Sequence, residues 1–303
     1  MKRLKLIVGI VSMNCSILFG QQETQVTQYL DNMLYYNPAY AGSSDQLSLG
    51  LISRAKWAGV DGAPRTQFLT ANTPTKYKSL GVGFSLMNDV AGPLRQNWIN
   101  IDASYALQFD AIPGKIYLGM KGGLNFLNAE FTSLLLDQSN DPAFGLNYSN
   151  RVLPNLGTGI YYRSEKYFAG ISIPRMVENK DQGQLEFQDQ KHIYFSGGTY
   201  IDLNRMWKVR PSALIKWTSN APLSFDLTST FIMYDQFFFG LNYRVQDSFG
   251  FMAQFLMRNS FRVGYSYDMS TTAMARSSNG SHELVLVYDF YFRKGQVTGP
   301  RLF

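Results

Sequence analysis

The chain has almost none of the residues that build disulfides and metal sites. It contains one cysteine, Cys15, and two histidines, His192 and His282, among 303 residues. The histidines are far apart in the sequence, and no nearby cysteine joins them as a further ligand of the kind a zinc site requires. The glycines form no phosphate-binding or dinucleotide fingerprint. We therefore expect no metal and no cofactor.

A second absence is an apolar run long enough for a membrane-spanning helix, which needs about 20 residues. Charge is scarce as well, at 17% of residues against roughly 25% in soluble domains. Only helices and closed barrels satisfy their backbone groups inside lipid. Since a barrel alternates its apolar residues, its hydrophobicity does not raise the mean hydropathy, which is −0.16. The composition is therefore compatible with a membrane barrel.

The N-terminus has the three parts of a cleavable secretory signal. Three basic residues lie within Met1–Lys5, Leu6–Phe19 is largely apolar, and Gly20 is small. A lipoprotein anchor at Cys15 is the alternative, but the bulky and polar residues 12–14 before it do not suit lipidation. We expect residues 1–20 to be removed, which leaves a mature chain without disulfides or thiol chemistry.

The positive charge of the chain is smaller than it first looks. The formal net charge is +6, from 28 basic and 22 acidic residues. Three of the basic residues belong to the expected signal peptide, so the mature chain carries +3. No basic run follows, and we expect no nucleic-acid partner.

Between Asp45 and Arg293 the sequence falls into about fourteen segments of alternating apolar and polar residues. The segments Ile99–Phe109 and Ile116–Phe126 are clear examples. A period of two places successive side chains on opposite faces of a β-strand. Most glycines in these segments fall on the polar face, among them Gly119, Gly123, Gly157, Gly159, Gly240, Gly250 and Gly264. Long strands of this kind are typical of a barrel with an apolar exterior and a polar interior.

The links between the segments are short and long in turn. Every second link is tight, namely Thr75–Lys78, Asp110–Gly114, Arg163–Lys166, Leu203–Met206, Tyr234–Gln236 and Arg258–Ser260. The others include the long links Asn128–Leu153, Arg175–Gln190 and Met269–Ser281. Short periplasmic turns and longer outer loops are typical of outer-membrane barrels, whereas a soluble β-sandwich has no reason to sort its loops in this way.

These patterns predict an all-β protein, a transmembrane antiparallel β-barrel of about 14 strands over residues 45–303. The first strand is predicted at Asp45–Trp57, and both ends of the mature chain are expected on the periplasmic side. Aromatic residues near the predicted strand ends are interpreted as interfacial belts, namely Tyr35, Tyr36, Trp57, Trp98, Tyr161, Tyr162, Trp207, Trp217, Tyr234 and Phe237.

Residues 21–44, between the signal and the first strand, are too apolar for a free tail. Five large apolar residues fall within Tyr29–Tyr40. Asn37-Pro38 favours an extended or turn geometry, and Gly42 lets the chain bend into the first strand. We predict that this segment tucks into the periplasmic mouth of the barrel as a partial plug; a disordered tail is the alternative.

Charged residues lie on the polar faces of the predicted strands or at their ends. They are Arg54, Asp89, Asp102, Lys121, Arg163, Arg210, Lys216, Asp226, Arg244, Arg258 and Arg262. Charges inside a small barrel usually pair with one another, and an open anion channel is the alternative. We expect changes on this face, such as Lys121→Ala, to be tolerated, and Leu118→Arg on the lipid face to be damaging.

The pair His282-Glu283 opens the last predicted strand. Alternation places His282 on the outer face and Glu283 on the lumen face. A barrel hydrolase would need a serine, a histidine and an orienting group on one face. Ser266 and Ser281 lie near His282 in the chain, but nothing fixes a third member. We therefore favour a rim hydrogen bond over catalysis and predict a protein that is not an enzyme.

Four separated motifs resemble one known family. They are Gln28–Asn32 with Asn37–Gly42, then Lys56–Pro64, Val263–Asp268 and Gly280–Leu284. Together they resemble the PorP/SprF family of Bacteroidetes outer-membrane proteins, and the resemblance covers nearly the whole mature chain. Its family-motif residues are Asn37, Pro38, Gly42, Trp57, Gly59, Gly62, Pro64, Tyr265, Tyr267, Asp268, His282 and Glu283. Ala58 departs from the valine that the family often has.

The resemblance implies a non-enzymatic component of type IX secretion in the outer membrane of a Gram-negative bacterium. Its expected partners are outer-membrane lipid, a secreted surface protein and periplasmic secretion components. The long loop Asn128–Leu153, with its leucine triplet Leu134–Leu136, is our expected docking surface, and a pore plug is its alternative role. The alternative function is a channel for small solutes or hydrophobic ligands.

Overall fold

The computed structural model describes residues 24–44, 46–77, 79–130, 148–177, 191–219 and 221–290. The predicted signal peptide lies outside these ranges, as do residues 131–147 with the leucine triplet, residues 178–190 and the end of the chain after Phe290. No helix within the described ranges is long and apolar enough to cross a membrane.

Within the described ranges, fourteen antiparallel strands form one sheet. They are β1 (Leu47–Ala55), β2 (Arg65–Pro74), β3 (Leu80–Ala91), β4 (Leu94–Gln108), β5 (Lys115–Ala129), β6 (Tyr148–Arg163), β7 (Tyr167–Ile173), β8 (His192–Thr199 and Ile201–Asp202), β9 (Trp207–Thr218), β10 (Ala221–Met233), β11 (Phe237–Arg244), β12 (Ser248–Met257), β13 (Phe261–Ser270) and β14 (Ser281–Phe290). Both parts of β8 pair with β9, so they count as one strand interrupted at Tyr200.

The sheet closes on itself. Each strand pairs with its neighbours in the chain, and β14 pairs with β1, where Leu286 lies opposite Leu51. Closure removes the open edges that a membrane strand cannot leave unpaired. The predicted barrel topology and strand number are confirmed.

Alternation sorts the side chains as the sequence predicts. In β5, Leu118 and Met120 are 43% and 70% exposed, whereas Tyr117 and Lys121 on either side of them are buried. The exposed side chains form the outer wall, which faces lipid, and the buried ones face the lumen. The assignment of the two faces from the sequence is therefore correct.

The six links predicted to be tight lie together at one end of the barrel, which we name the short-turn end. The opposite end, the loop end, carries the long links, one of which includes a short helix at Ala273–Arg276, but also short links after β3, β9 and β11. In outer-membrane barrels the short turns face the periplasm. The predicted grouping of the tight links is confirmed, whereas the links at the loop end are of mixed length.

Four strand boundaries differ from the prediction. The first strand ends at Ala55 and not at Trp57, because Trp57 has a φ of +53°, which breaks the extended geometry. The link predicted at Asn128–Leu153 is shorter, since β5 continues to Ala129 and β6 already begins at Tyr148. The link after β13 likewise begins only after Ser270.

Residues 24–44, which we name the lumen segment, lie inside the barrel. They form short helical turns at Tyr29–Asn32, Met33–Tyr36 and Pro38–Tyr40, and nearly all their residues from Val26 onward are buried. The core of the protein therefore lies within the barrel. Rings of the segment pack edge-on against the wall, for example Tyr35 on Phe68, with centroids 4.8 Å apart.

The lumen segment runs deeper than the predicted periplasmic mouth. Thr24 lies within hydrogen-bonding reach of Asp89 at the loop end. Arg163 donates to the Ser43 carbonyl at the short-turn end, over 2.8 Å. Phe290 lies at the short-turn end as expected, but Thr24 lies at the other end, because the segment crosses the height of the lumen.

Several aromatic residues that we placed at the membrane interfaces lie inside the barrel. Trp98 and Tyr161 are 2% and 1% exposed, and Tyr35 and Tyr36 of the lumen segment are also buried. Their interpretation as belt residues is wrong, because these side chains form the packed core around the segment. Trp217 and Tyr234 are exposed on the outside, as a belt requires.

Candidate functional site

The local sequence explains why the lumen segment turns where it does. Pro38 occupies the first position of a helical turn, where its fixed φ fits and its missing N–H costs nothing. The Asn37 side chain accepts a hydrogen bond from the Ala39 amide and donates one to the Ile160 carbonyl, both over 3.0 Å. Gly42 then has a φ of +61° and lies directly against Gly81.

Glu283 holds the start of the segment at the loop end. Its carboxylate accepts hydrogen bonds from the backbone amides of Thr27 and Gln28, over 3.0 and 2.9 Å. The Gln28 side-chain amide donates a third, over 3.2 Å. A carboxylate that receives several N–H donors is a strong acceptor. A family-motif residue in the wall thus fixes the backbone of the segment.

Arg54 joins two of the family-motif carboxylates. Its guanidinium nitrogens lie 2.6 Å from Asp268 and 2.8 Å from Glu283, and all three side chains are almost fully buried. The Thr27 hydroxyl donates to Asp268 over 2.6 Å and accepts from Arg54 over 3.1 Å. Because buried charges are costly without partners, this cluster stabilises one arrangement of wall and segment. We name Arg54, Asp268, Glu283 and Thr27 the anchor cluster.

Two further ionic contacts hold the middle of the segment. Asp31 pairs with Arg262 of β13 over 2.6 Å. Lys121 of β5 donates to the Leu34 carbonyl over 3.2 Å and pairs with Asp102 over 2.8 Å. The lumen charges therefore serve both the wall and the segment.

A small cavity remains near the short-turn end. Its volume is about 30 Å³, and its lining includes Asp31, Tyr40, Asn72 and Arg262. A buried water needs about 10–15 Å³ of such space, so the cavity holds one or two waters. It is far too small for a solute pathway.

Lumen-facing glycines make room for the segment. A Cβ atom on Gly119 would overlap the backbone of Ala39, and one on Gly81 would overlap the Ala41 carbonyl. Side chains of the segment also lie close to Gly83, Gly159, Gly170, Gly250 and Gly264. Glycine is used where another backbone approaches a strand closely.

The other family-motif residues meet above the junction of β14 and β1. The link after β1 turns through Trp57, Gly59 and Gly62, which all have positive φ, and the Lys56 amide closes it by donating to the Pro64 carbonyl. The Ala58 amide donates to the Gly280 carbonyl, and the Ala58 carbonyl accepts from the Asn279 amide. Both partners belong to the link before β14. The Tyr267 hydroxyl also donates to the Asn279 carbonyl over 3.1 Å.

The structure thus brings three motifs together and divides the fourth between the two ends of the barrel. Its part Gln28–Asn32 begins at the loop end, where Gln28 bonds to Glu283. Lys56–Pro64, Val263–Asp268 and Gly280–Leu284 meet at the loop end, where Glu283 and Asp268 reach Thr27. Asn37–Gly42 lies at the other end of the lumen segment, near the short turns.

His282 and the nearby serines do not form a hydrolase site. His282 lies on the outer face, where its Nδ1 is 2.6 Å from the Tyr265 hydroxyl. Ser266 and Ser281 are buried on the lumen face. Within the described ranges no group of three metal-binding side chains is found. The arrangement supports packing and anchoring. The contact between His282 and Tyr265 is a hydrogen bond near the rim, as the sequence predicted.

The remaining lumen charges are mostly paired as well. Arg244 lies 2.8 Å from Asp226, and Arg210 donates to the Tyr200 hydroxyl over 3.2 Å. Arg258 lies at a strand end, as predicted, in an exposed turn with a φ of +48°. In the described part of the barrel, the charges on the lumen face are mostly paired and do not form the row of free cations that an anion channel would need.

Two charged groups in the loop-end links have shifted pKa values. Burial lowers the pKa of Lys56 to about 8. Burial alone would raise the pKa of Asp247, but the Arg244 guanidinium 3.2 Å away outweighs it and holds that pKa below its ordinary value. Asp247 is therefore ionised at neutral pH, and Lys56 begins to lose its proton at mildly alkaline pH.

The family can now be stated. The sequence model of the type IX secretion system membrane protein PorP/SprF family matches residues 18–288. The chain belongs to this family. With its closed barrel it is an outer-membrane protein, and the resemblance noted from the four motifs is confirmed.

Several solved structures are similar to this chain, and one of them, with a TM-score of 0.50, supports the barrel fold. The CymD monoaromatic hydrocarbon channel has a TM-score of 0.50 and 10% identity, over 91% of this chain and 96% of that one. Omp33 of Acinetobacter baumannii has a TM-score of 0.49 and 7% identity, over 82% and 100%. A Pseudomonas aeruginosa FadL homologue has a TM-score of 0.43 and 11% identity, over 85% and 94%. No curated protein matches the chain.

The sequence analysis missed Thr27, Gln28 and Asp31 as contact residues. A signal for them was present in the glycines on the polar face, which we explained by the barrel alone. Gly119 marks where a second piece of backbone passes close to the wall, and Gly159 makes room for the Asn37 side chain.

Proposed function

We propose that this protein is a non-enzymatic, partner-binding component of type IX secretion. In this role it assists the export or surface attachment of a secreted protein at the loop end. It contacts periplasmic parts of the secretion machinery at the short-turn end. Membership of the PorP/SprF family supports the secretion role.

The path of the lumen segment is the observation that carries the proposal. From Thr27 to Ser43 it is bonded to the wall by buried ion pairs and hydrogen bonds at the loop end, the middle and the short-turn end. Such a segment closes the barrel to solutes. A closed barrel acts through its two ends, which favours partner binding over transport.

The links at the loop end support a docking role because they are joined to one another. Ala58 bonds to the link before β14, and the Gly92 amide donates to the Gly62 carbonyl over 2.9 Å. We propose that this joined surface, together with the loop that contains residues 131–147, contacts the secreted partner.

Co-purification from native membranes tests the role directly. We expect the full-length protein to retain secretion-system proteins and one secreted surface protein. Removing residues 134–144 should abolish retention of the secreted protein while the barrel still folds, as judged by its heat-modifiable mobility. Retention of the same proteins by the shortened variant would contradict the proposed docking surface.

Conductance in planar bilayers separates this role from a channel. We expect the mature protein to be silent, and a variant that lacks residues 24–40 to conduct, because its lumen is emptied. The shortened variant is the control that the assay detects an open barrel. Sustained pores from the unaltered protein would support the channel and contradict the proposal.

A further inference from the structure

The outer wall carries a polar patch where lipid-facing barrels are usually apolar. Ser53, Gln67, Asn88 and Asn97 lie side by side on β1 to β4 and face outward. In the next outward row toward the loop end, Arg65 and Arg95 lie on either side of Val90. We name the six polar residues the outer polar patch.

The patch occupies the part of β1 to β4 that lies nearest the loop end. The neighbouring row toward the short-turn end is Leu51, Leu69, Leu86 and Ile99, in the same strand order. Outward residues of β4 stay apolar from Ile99 to Leu107, about 27 Å along the strand at about 3.4 Å per residue. At a tilt of about 40° this covers most of an apolar band roughly 25 Å tall. The patch therefore lies at the headgroup level of the outer leaflet.

The loop-end part of β11 to β13, which lies beyond β14 on one side of the patch, is apolar. Tyr243, Phe249, Phe251, Tyr265 and Tyr267 face outward there. That sector has the aromatic girdle expected at an interface. The polar side chains of β1 to β4 are thus a property of one sector and not of the rim as a whole.

The charge of the patch is of one sign. Arg65 and Arg95 are exposed and lie two strands apart, about 9–10 Å. Neither forms an ion pair with another described residue, and Asp61 and Glu130 lie in the links and not among these rows. Asn88 donates to Asn97 over 2.7 Å, which leaves further amide donors facing out.

We propose that the outer polar patch binds the phosphorylated sugar headgroup of an outer-leaflet glycolipid. Guanidinium groups bind phosphate through paired charge-assisted hydrogen bonds, and the amides suit sugar hydroxyls. A protein partner inside the membrane would instead favour small residues that let backbones approach. The patch has long arginine and glutamine side chains, which suit a headgroup.

Lipid binding to the full mature protein in detergent micelles tests this proposal. The probe is lipid A, a phosphorylated glucosamine disaccharide lipid, compared with the same lipid without phosphate. We expect lipid A to bind about tenfold more tightly. The variant R65Q/R95Q should lose about as much affinity, whereas R258Q/R276Q, with exposed arginines away from the patch, should bind as the unaltered protein does. Heat-modifiable mobility confirms that each variant is folded.

Four outcomes would overturn the proposal. The first is equal binding of the lipid with and without phosphate, and the second is unchanged affinity in R65Q/R95Q. The third is loss of a co-purifying protein from R65Q/R95Q while lipid A binding is kept, which would assign the patch to a protein partner. Competition by inorganic phosphate as strong as that by lipid A would mean an adventitious anion site only, which also contradicts it.

Discussion

The lumen face and the lipid face of β5 are one residue apart and follow different rules. Leu118 and Met120 face lipid, and their exposed side chains need only be apolar. Gly119 and Lys121 face the lumen segment, where the first lies against Ala39 and the second binds both Asp102 and the Leu34 carbonyl. The lipid face specifies a class of residue, whereas the lumen face specifies individual residues.

This difference revises our expectation that lumen substitutions are tolerated. That expectation treated the lumen as a water-filled space, in which a lost charge is replaced by solvent. Lys121 is 3% exposed and its partner Asp102 is fully buried. Removing either charge leaves the other without water or a counter-ion, which is costly.

The largest expected contrast is between cysteines placed at the two ends of the lumen segment, because one should be labelled from outside the cell and the other should not. Thr24→Cys should react with a membrane-impermeant maleimide on intact cells, because Thr24 lies at the loop end. Ser44→Cys should not react, since Ser44 is buried near the short turns. Labelling of Ser44→Cys with protection of Thr24→Cys would reverse the orientation of the segment.

Arg54→Met should give the largest loss of stability. It leaves Asp268 and Glu283 buried without their shared cation, and breaking a buried ion pair costs about 3–5 kcal/mol. Urea unfolding in detergent measures this loss. Arg258→Met in an exposed turn is the matched control and should change stability by less than about 0.5 kcal/mol. Equal unfolding midpoints for the two variants would contradict the importance of the anchor cluster.

Lys121→Met should cost nearly as much, about 3–5 kcal/mol, because Asp102 is left alone. The double variant Lys121→Met/Asp102→Leu removes both charges and should recover most of that loss. The same unfolding measurement on both variants and on Asp102→Leu completes the cycle. If the double variant loses the sum of the two single losses, the pair is not coupled.

Leu118→Arg tests the lipid face and should cost about 2–4 kcal/mol at the middle of the bilayer. Leu118→Met keeps the side chain apolar and should cost less than about 1.5 kcal/mol. Unfolding in lipid vesicles is the suitable measurement, because detergent does not reproduce the depth of a bilayer. A tolerated arginine would mean that Leu118 faces a partner surface or water.

Much of the barrel could be predicted from the sequence, because strand alternation and turn length are local properties. The period of two assigned Leu118 to the outside and Lys121 to the lumen correctly. The tight links also fell where expected. The end of β1 was predicted wrongly because the alternation of apolar and polar residues carries no information about the positive φ of Trp57.

The path of the lumen segment could not be predicted in the same way. Its position depends on contacts between residues more than 200 positions apart, such as Thr27 with Asp268 and Gln28 with Glu283. Local propensity carries no information about such pairs. The apolar residues of the segment indicated that it is shielded from water. How far the segment reaches into the barrel followed only from its buried contacts with distant residues.

The smallest expected contrast compares two glycines of β5 that lie three residues apart. Gly119→Ala places a Cβ atom into the backbone of Ala39, and overpacking of this kind costs about 1–3 kcal/mol. Gly122→Ala meets nothing within 4 Å on the lipid face, so its effect should stay within about 0.5 kcal/mol. Urea midpoints of the two variants under identical conditions measure the difference. Because both substitutions add the same methyl group to the same strand, unequal midpoints report the presence of the lumen segment, and equal midpoints would place that segment elsewhere.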